Sequence, residues 1–187
     1  MPSELENRSS TVAIIGAGPL GRWLALSAAR AGFRVLLEDV MPANLHHARE
    51  ALRRQLGPKA LPNVAFVSTI EDAVRDADLA IDCVPDELES KLEILWLLDR
   101  MAPPRTVLAT PTTRLSIADL ANCTYRPDKC IAIAQEASSL AAGASTQILL
   151  RTTTRTTPET VALLENFWRQ LGFTPTFAPD PAEQPAP

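Results

Sequence analysis

A glycine cluster constrains the fold of this chain more than any other feature of its sequence. Only 7 of the 187 residues are glycine, yet Gly16, Gly18 and Gly21 fall together in the pattern G-x-G-x-x-G. The cluster follows TVAII at residues 11–15, an uncharged run typical of a strand buried on both faces. After it comes LGRWLALSAAR at residues 20–30, which is typical of a helix. This order of strand, glycine turn and helix predicts the first unit of a dinucleotide-binding fold.

Each position of the glycine turn has a separate task in such a unit. Gly16 allows the tight turn, Gly18 lets the backbone approach a pyrophosphate, and Gly21 lets the helix pack closely on the strand. Pro19 and Leu20 begin the helix, whose free amides and dipole favour an anionic phosphate. We therefore predict that these five residues bind the cofactor. The alternative is a turn kept only for packing, in a fold that has lost its ligand.

Two acids at the end of the second predicted strand select the type of dinucleotide. RVLL at residues 34–37 is followed by Glu38 and Asp39. A carboxylate at this place can accept hydrogen bonds from the ribose hydroxyls and would repel a 2′-phosphate. Neither of the next two residues is an arginine. The sequence therefore predicts NAD rather than NADP, with Glu38 and Asp39 among the cofactor-binding residues.

Strand-like and helix-like segments alternate along the rest of the chain. This alternation predicts a doubly wound, Rossmann-type α/β fold, with a mostly parallel sheet and helices on both faces. In the helix predicted at residues 87–101 we expect the apolar side chains to face the core. These are Leu88, Leu92, Leu95, Trp96 and Leu98. Further strands are expected at 64–67, 79–84, 107–109, 130–134, 147–150 and 173–177, and further helices at 42–56, 71–75, 116–120 and 158–171.

Composition excludes several classes of function. The net charge of −4 argues against a generally basic nucleic-acid surface, and no apolar run approaches the roughly 18 residues of a membrane span. The polar start of the chain does not resemble a secretory signal. Cys83, Cys123 and Cys130 form no CxxC pair, so we expect reduced thiols, no metal site and a cytoplasmic location.

The chain divides into three parts by composition. We expect a disordered lead at residues 1–10, an NAD-binding domain at 11–178 and a proline-rich tail at 179–187. Four of the sixteen prolines lie in that tail, which predicts a frayed and non-helical end.

Two long segments resemble the NAD-binding domain of the 3-hydroxyacyl-CoA dehydrogenase family. They are TVAIIGAGPLGRWLALSAARAGFRVLLEDV and DADLAIDCVPDELESKLEILWLLDRMAPPRTVLATPTTRLSIADLA, and the resemblance extends over about residues 11–180. It implies NAD as cofactor and matches Asp39 to the family's ribose-binding aspartate. It also matches Asp86 to an acid lining the cofactor site, and Lys91 to a lysine near the nicotinamide-side ribose. Without the resemblance, Asp86 and Lys91 are interpreted as an acidic helix start and a solvated helix residue.

The family's catalytic residues have no counterpart at the matching positions. Where the family has a His-Phe-Phe-Asn-Pro motif, Ala134 replaces the histidine and Ala137 the asparagine. The partner glutamate falls near Thr146 or Gln147, and Pro111 replaces the asparagine of the family's Asn-Thr-Ser-Ser motif. Oxidation of an alcohol requires a base to take the hydroxyl proton. The resemblance therefore implies little activity of the family's type.

Few residues could substitute for the missing base. His46 and His47 lie on the second predicted helix, where a solvated pair is the simpler interpretation. Glu136 is the nearby candidate for a base and Thr113 for an altered role, although an exposed loop acid is the simpler interpretation of Glu136. Cys83 and Cys130 lie in apolar strands and are interpreted as core residues, not nucleophiles.

Two functional hypotheses follow. The first is an NAD(H)-binding relative of the 3-hydroxyacyl-CoA dehydrogenases with at most altered or weak oxidoreductase activity on a hydroxyacyl, acyl-CoA-like small molecule. The second is a non-catalytic NAD-binding or scaffold subunit that works with a partner protein. The family's helical C-terminal domain has no counterpart in these 187 residues, so we expect a homo-oligomer or a partner subunit, and neither nucleic acid nor membrane as partner.

Overall fold

The structure is a computed structural model that describes residues 10–57, 59–141 and 146–183. Within these residues, eight strands form one sheet with helices on both of its faces. The strands are β1 (Thr11–Ile15), β2 (Arg34–Glu38), β3 (Val64–Val67), β4 (Leu79–Asp82), β5 (Val107–Pro111), β6 (Cys130–Ile133), β7 (Gln147–Thr152) and β8 (Thr174–Pro179). The helices are α1 (Pro19–Arg30), α2 (Pro42–Gln55), α3 (Ile70–Val74), α4 (Leu88–Met101), α5 (Ile117–Ala121), α6 (Ala137–Ala141) and α7 (Pro158–Gln170).

The order of the strands places a ligand-binding crevice beside β1. The order is β3-β2-β1-β4-β5-β6-β7-β8, and the first six strands by sequence are parallel. Only β6 and β7 pair in antiparallel fashion, and β8 then runs parallel to β7. The chain winds outward in one direction from β1 to β3 and in the other from β4, so a crevice opens at the carboxyl ends of β1 and β4. The predicted doubly wound, mostly parallel fold is confirmed.

The buried side chains form two apolar layers, one on each face of the sheet. Leu37 belongs to the layer that packs against α1, α2 and α7, whereas Leu36 belongs to the layer that packs against α3, α4 and α5. Neighbouring strand residues fall in different layers because successive side chains point to opposite faces. Among the described helices, none is long and apolar enough to cross a bilayer.

The inner face of α4 differs from the prediction. Leu88 and Trp96 are exposed, so their assignment to the core was wrong. Lys91, Ile94 and Asp99 of the same helix are buried instead. Lys91 and Asp99 are buried because each has a charged partner inside the protein. The apolar pattern of the sequence does not reveal these partners.

The prediction of a frayed, non-helical tail is wrong for residues 179–183. Asp180 is only 1% exposed, and it accepts hydrogen bonds from the Ser116 hydroxyl and the Ala118 amide. Burial opposes ionisation, but these and other hydrogen bonds outweigh it and lower the pKa of Asp180. Pro181–Glu183 then forms a turn of 3-10 helix. Residues 184–187 of the predicted tail, and residues 1–9 of the predicted lead, lie outside the described residues.

Backbone contact between α1 and the glycine turn sets the position of the helix. A Cβ atom added at Gly21 would lie 1.8 Å from the carbonyl oxygen of Gly16 and 3.5 Å from Ile14 Cγ2. No side chain fits at that distance, so α1 can approach the turn only with glycine at this position. Gly16 has a φ of +106°, a conformation that residues with a side chain rarely adopt.

We expect Gly21→Ala to lower the free energy of unfolding by about 3 kcal/mol and the Tm by about 6–12 °C, because the new methyl group collides with backbone. Denaturant and thermal unfolding measure the effect. Gly18→Ala is the matched control, since nothing lies within 4 Å of its added Cβ, and it should change stability by less than about 1 kcal/mol. Equal stability of the two variants would refute this account of α1.

Candidate functional site

A cavity of about 1120 Å³ opens at the carboxyl ends of the parallel strands. Its volume is at the upper end of the range for ligand pockets, which suits an extended ligand. Two of the predicted cofactor residues, Gly21 and Lys91, are not among the residues that line it. The other predicted cofactor residues do line it, namely Gly16, Gly18, Pro19, Leu20, Glu38, Asp39 and Asp86.

The glycine turn forms the part of the cavity wall between β1 and α1. The Gly16 amide donates to the carbonyl of Glu38 at 2.8 Å, and a Cβ at Gly16 would lie 3.3 Å from the carbonyl oxygen of Cys83. The turn is therefore held between the ends of β2 and β4. The side of Gly18 where a Cβ would stand is open, which leaves room for a ligand group to approach the backbone. The first amides of α1 have no partner within the helix, so they can face an anion.

Asp39 connects the glycine turn to the start of α2. Its Oδ2 accepts from the Ala17 amide and its Oδ1 from the Met41 amide, both at 2.8 Å. The Asn44 side-chain amide donates to both oxygens at 3.1 Å. Asn44, which also lines the cavity, was missed by the sequence analysis because nothing in its spacing distinguishes it from an ordinary helix residue.

Glu38 is the other acid at this end of the cavity. It is 5% exposed and lies in register with Ile15 of β1 and Val67 of β3. Burial, and then the charge of Asp39, raise the pKa of Glu38 to about 7. Near neutral pH, the side chain is therefore divided between its ionised and neutral forms.

Lys91 does not reach the cavity, contrary to the predicted contact with the cofactor. Its Nζ lies 2.6 Å from Asp82 Oδ1, and both side chains are at most 1% exposed. Burial raises the pKa of Asp82, while the charge of Lys91 and its hydrogen bond act in the opposite direction. The pair joins α4 to the end of β4, next to Cys83, whose amide donates to the carbonyl of Ile15 at 2.7 Å. Asp82 was not among the predicted site residues, although an acid at the end of an apolar strand is a sequence signal that could have identified it.

Asp86 offers a free acceptor on the other side of the glycine turn. Its Oδ2 accepts from the Thr113 amide at 3.3 Å, and Arg114 donates to its backbone carbonyl at 2.8 Å. Its Oδ1 is buried and, among the described residues, has no hydrogen-bond partner. A ligand hydroxyl that reaches this oxygen would satisfy it. Arg114 lines the cavity as well and was not predicted.

The cavity wall at β5 and β6 is polar but poor in bases. Thr113, Gln135, Glu136 and Ser138 line it, and Glu136 is exposed to solvent. Within the described part of the chain, no histidine lines the cavity, and His46 and His47 are exposed on α2. The structure places both candidates for a catalytic role, Glu136 and Thr113, in the lining of the cavity.

The cysteines are poor nucleophiles. Cys83 packs against the apolar layer beside α1, α2 and α7, as predicted for a core residue, and it also lines the cavity. Burial and then the charge of Asp82 raise the pKa of its thiol. Burial likewise raises the pKa of Cys130 to about 12. Both groups therefore remain thiols at neutral pH. The described residues contain no group of three or more His, Cys, Asp or Glu side chains that could hold a metal ion.

The sequence matches a known family over nearly its whole length. Residues 11–180 match the family described as 3-hydroxyacyl-CoA dehydrogenase, NAD binding domain. The match confirms the predicted resemblance and the predicted cofactor, NAD.

Individual relatives support the same assignment. The chain is 32% identical over 133 residues to a Bacillus subtilis (strain 168) protein named "Probable 3-hydroxybutyryl-CoA dehydrogenase", which covers 64% of this chain and 46% of that protein. It is 37% identical over 131 residues to L-carnitine dehydrogenase of Burkholderia mallei, with 65% and 40% covered. The chain thus spans less than half the length of these relatives.

A solved structure shares the fold. The crystal structure of (S)-3-hydroxybutyryl-CoA dehydrogenase from Ralstonia eutropha superposes with a TM-score of 0.82, covering 92% of this chain and 64% of that one. At 22% sequence identity, this similarity concerns the fold alone.

We expect Lys91→Met to lower the free energy of unfolding by about 3–5 kcal/mol, because it leaves the buried Asp82 without its partner. The double variant Lys91→Met/Asp82→Leu should lose less, since no uncompensated charge remains. Urea unfolding measures both. Arg75→Met breaks the exposed pair of Arg75 with Asp72 and should cost less than about 1 kcal/mol. If Lys91→Met were as mild as Arg75→Met, the buried pair would not have the structural importance assigned to it.

Proposed function

Because the chain belongs to the family of 3-hydroxyacyl-CoA dehydrogenase NAD-binding domains, we propose that it binds NAD(H) in the cavity beside the glycine turn. We further propose that it has at most weak or altered oxidoreductase activity on a hydroxyacyl substrate. The observation that carries the proposal is the joint placement of Gly18, Asp39 and Asp86 in the lining of one cavity.

The residues present suit the two halves of a dinucleotide. Gly16 and Gly18 would hold the pyrophosphate against the start of α1, where the helix dipole favours negative charge. Glu38 and Asp39 would face the adenosine half, and the negative charge of Asp39 disfavours a 2′-phosphate. The unpartnered Asp86 Oδ1 would accept a hydroxyl from the other half.

Proton transfer is the step for which this chain is poorly equipped. When bound, NAD⁺ supplies a hydride acceptor, and the protein must supply a base for the substrate hydroxyl. The resemblance places Ala134 where the family has its histidine, and alanine cannot accept a proton. Glu136 lines the same cavity and can act as a base if the substrate hydroxyl lies near it, with Thr113 donating a hydrogen bond to the substrate oxygen.

The proposed substrate is a small acyl-CoA-like molecule. The Bacillus subtilis relative carries 3-hydroxybutyryl-CoA in its name, whereas the Burkholderia mallei relative carries L-carnitine. Since the chain spans less than half of either protein, the acyl-CoA assignment rests on the family description. For the cellular compartment we propose the cytoplasm, because all three cysteines are free thiols.

The lack of a histidine in the described cavity wall favours a second candidate function, a non-catalytic NAD-binding or scaffold subunit. Such a subunit would need a surface for a partner protein or a second copy. Leu88 and Trp96 on α4 are about half exposed, with 50% and 47% of their surface accessible, and they would suit such a contact. Turnover measurements separate this function from the first.

We expect NADH to bind the wild-type protein, and Asp39→Ala to weaken binding at least about tenfold, because it removes the carboxylate that orders the glycine turn through the Ala17 amide. Titration followed by NADH fluorescence measures the dissociation constants. Asp72→Ala, which removes an exposed acid on α3, is the control and should bind as the wild type does. The proposal fails if the wild type does not bind NADH at millimolar concentration, and the role of Asp39 fails if its variant binds normally.

We expect slow oxidation of NADH with acetoacetyl-CoA, and a further loss of about 10²–10⁴-fold in kcat for Glu136→Gln, because in this direction the substrate oxygen gains a proton and the variant has no carboxylic acid to donate it. Loss of NADH absorbance measures the rate. Glu159→Gln on α7 is the control for removal of an exposed acid. An unchanged rate in Glu136→Gln excludes this residue as the base. Binding of NADH without any turnover supports the non-catalytic subunit.

A further inference from the structure

Glu38 lies in an apolar recess of the cavity. Ile15, Ile70, Val84 and Ile94, which we call the apolar recess, all line the cavity and all belong to the layer that packs against α3 and α4. Glu38 is on the same face of β2 as Leu36, a member of this layer, because side chains two apart on a strand point the same way. Glu38 therefore faces the same layer as the apolar recess, on the side of the cavity that is suited to a flat and mostly apolar ligand group.

The neighbouring acid, Asp39, has no free acceptor position for a ligand group in this recess. Asp39 already accepts four hydrogen bonds from Ala17, Met41 and Asn44, and a carboxylate offers about four acceptor positions. By contrast, no hydrogen bond or ion pair involving the described residues ends on the carboxyl group of Glu38. Of the two acids, Glu38 has the free hydrogen-bonding capacity.

The surroundings of Glu38 disfavour its ionised form. The flanking strands β1 and β3 carry no titratable side chain, α3 contributes only the acids Glu71 and Asp72, and Asp39 is adjacent. On α4, Lys91 is paired with Asp82 and is not available to Glu38. Arg114, which also lines the cavity, donates to the backbone carbonyl of Asp86. A carboxyl group covered by a ligand in this place loses more water, so the neutral acid is the favoured state.

We propose that Glu38, as a neutral carboxylic acid, recognises the adenine base of the dinucleotide, so that cofactor binding takes up a proton wherever Glu38 of the free protein is ionised. This inference rests on the proposed binding of NAD(H). A neutral acid has an O–H donor beside a C=O acceptor, and adenine has a ring-nitrogen acceptor beside its amino donor, so the two edges are complementary. The carboxylate has no donor and cannot make the same pair.

The pH dependence follows from the protonation state of the free protein. Because the pKa of Glu38 in the free protein is about 7, the acid is mostly neutral at pH 6 and about one-tenth neutral at pH 8. If only the neutral form binds well, the apparent dissociation constant rises about tenfold between these two pH values. An ionised Glu38 that accepted ribose hydroxyls would give the opposite slope.

The first experiment measures NADH binding by fluorescence at pH 6, 7 and 8 for the wild type and for Glu38→Gln. The amide keeps a donor and an acceptor but does not titrate, so we expect the variant to bind at the wild type's pH 6 affinity with less than twofold change over the range. We expect the wild type to weaken about tenfold. A flat or inverted wild-type profile, or an equally steep profile in Glu38→Gln, would overturn the proposal.

The second experiment tests recognition of the base. Glu38→Leu introduces an apolar side chain of similar size that has neither a donor nor an acceptor. At pH 6 this variant should therefore bind NADH at least about tenfold more weakly than Glu38→Gln. ADP-ribose, which has the adenosine half but no nicotinamide, should show the same order of affinities. Equal binding by the two variants would overturn recognition of adenine.

Two controls keep the outcomes distinct. Thermal unfolding at each pH verifies that the variants are folded, which is expected because both remove a buried carboxyl group that ionises unfavourably. Failure of the wild type to bind NADH at every pH would refute the proposed function itself. Binding without pH dependence would refute only the role of Glu38.

Discussion

The site depends on one close approach between two pieces of backbone. Helix α1 contacts the glycine turn at Gly21, where even a methyl group would overlap the Gly16 carbonyl. That contact fixes the first amides of α1 relative to β1. The Gly16 amide donates to the Glu38 carbonyl and the Cys83 amide donates to the Ile15 carbonyl, so the ends of β2 and β4 are placed with respect to the same turn. The position of the cavity wall near the glycine turn therefore depends on this contact.

The cavity is chemically uneven along its length. At the β2 end, Glu38 and Asp39 provide acidic groups beside the turn, and a dinucleotide's adenosine half would find several hydrogen-bonding groups there. At the β5 and β6 end, hydroxyls and Glu136 are present, but a histidine is not among the described lining residues. The protein thus retains the features that binding requires more completely than those that proton transfer requires. This contrast is the physical basis for both proposed functions.

Features set by local sequence were predictable, and those set by distant contacts were not. The strands, the glycine turn and Asp39 follow from patterns only a few residues long, and the structure contains all of them. Lys91 was predicted at the cavity because its match to the family does not show how deeply the side chain is buried. Its burial depends on the ion pair with Asp82 on β4. Asp180 appeared to belong to a frayed tail because its partners lie more than 60 positions earlier in the chain.

The antiparallel junction separates an edge unit from the rest of the described sheet. Strands β7 and β8 and helix α7 form a parallel unit of their own, joined to β6 by the register pairs Ala132–Arg151 and Ile133–Leu150. The ring contacts of Phe173 with Trp23 and of Phe167 with Phe33 provide a second attachment. A unit at the edge of a sheet can open locally while the remaining strands stay intact. The antiparallel pair is therefore the natural boundary for such an opening, and the strands that carry the cavity lie on its other side.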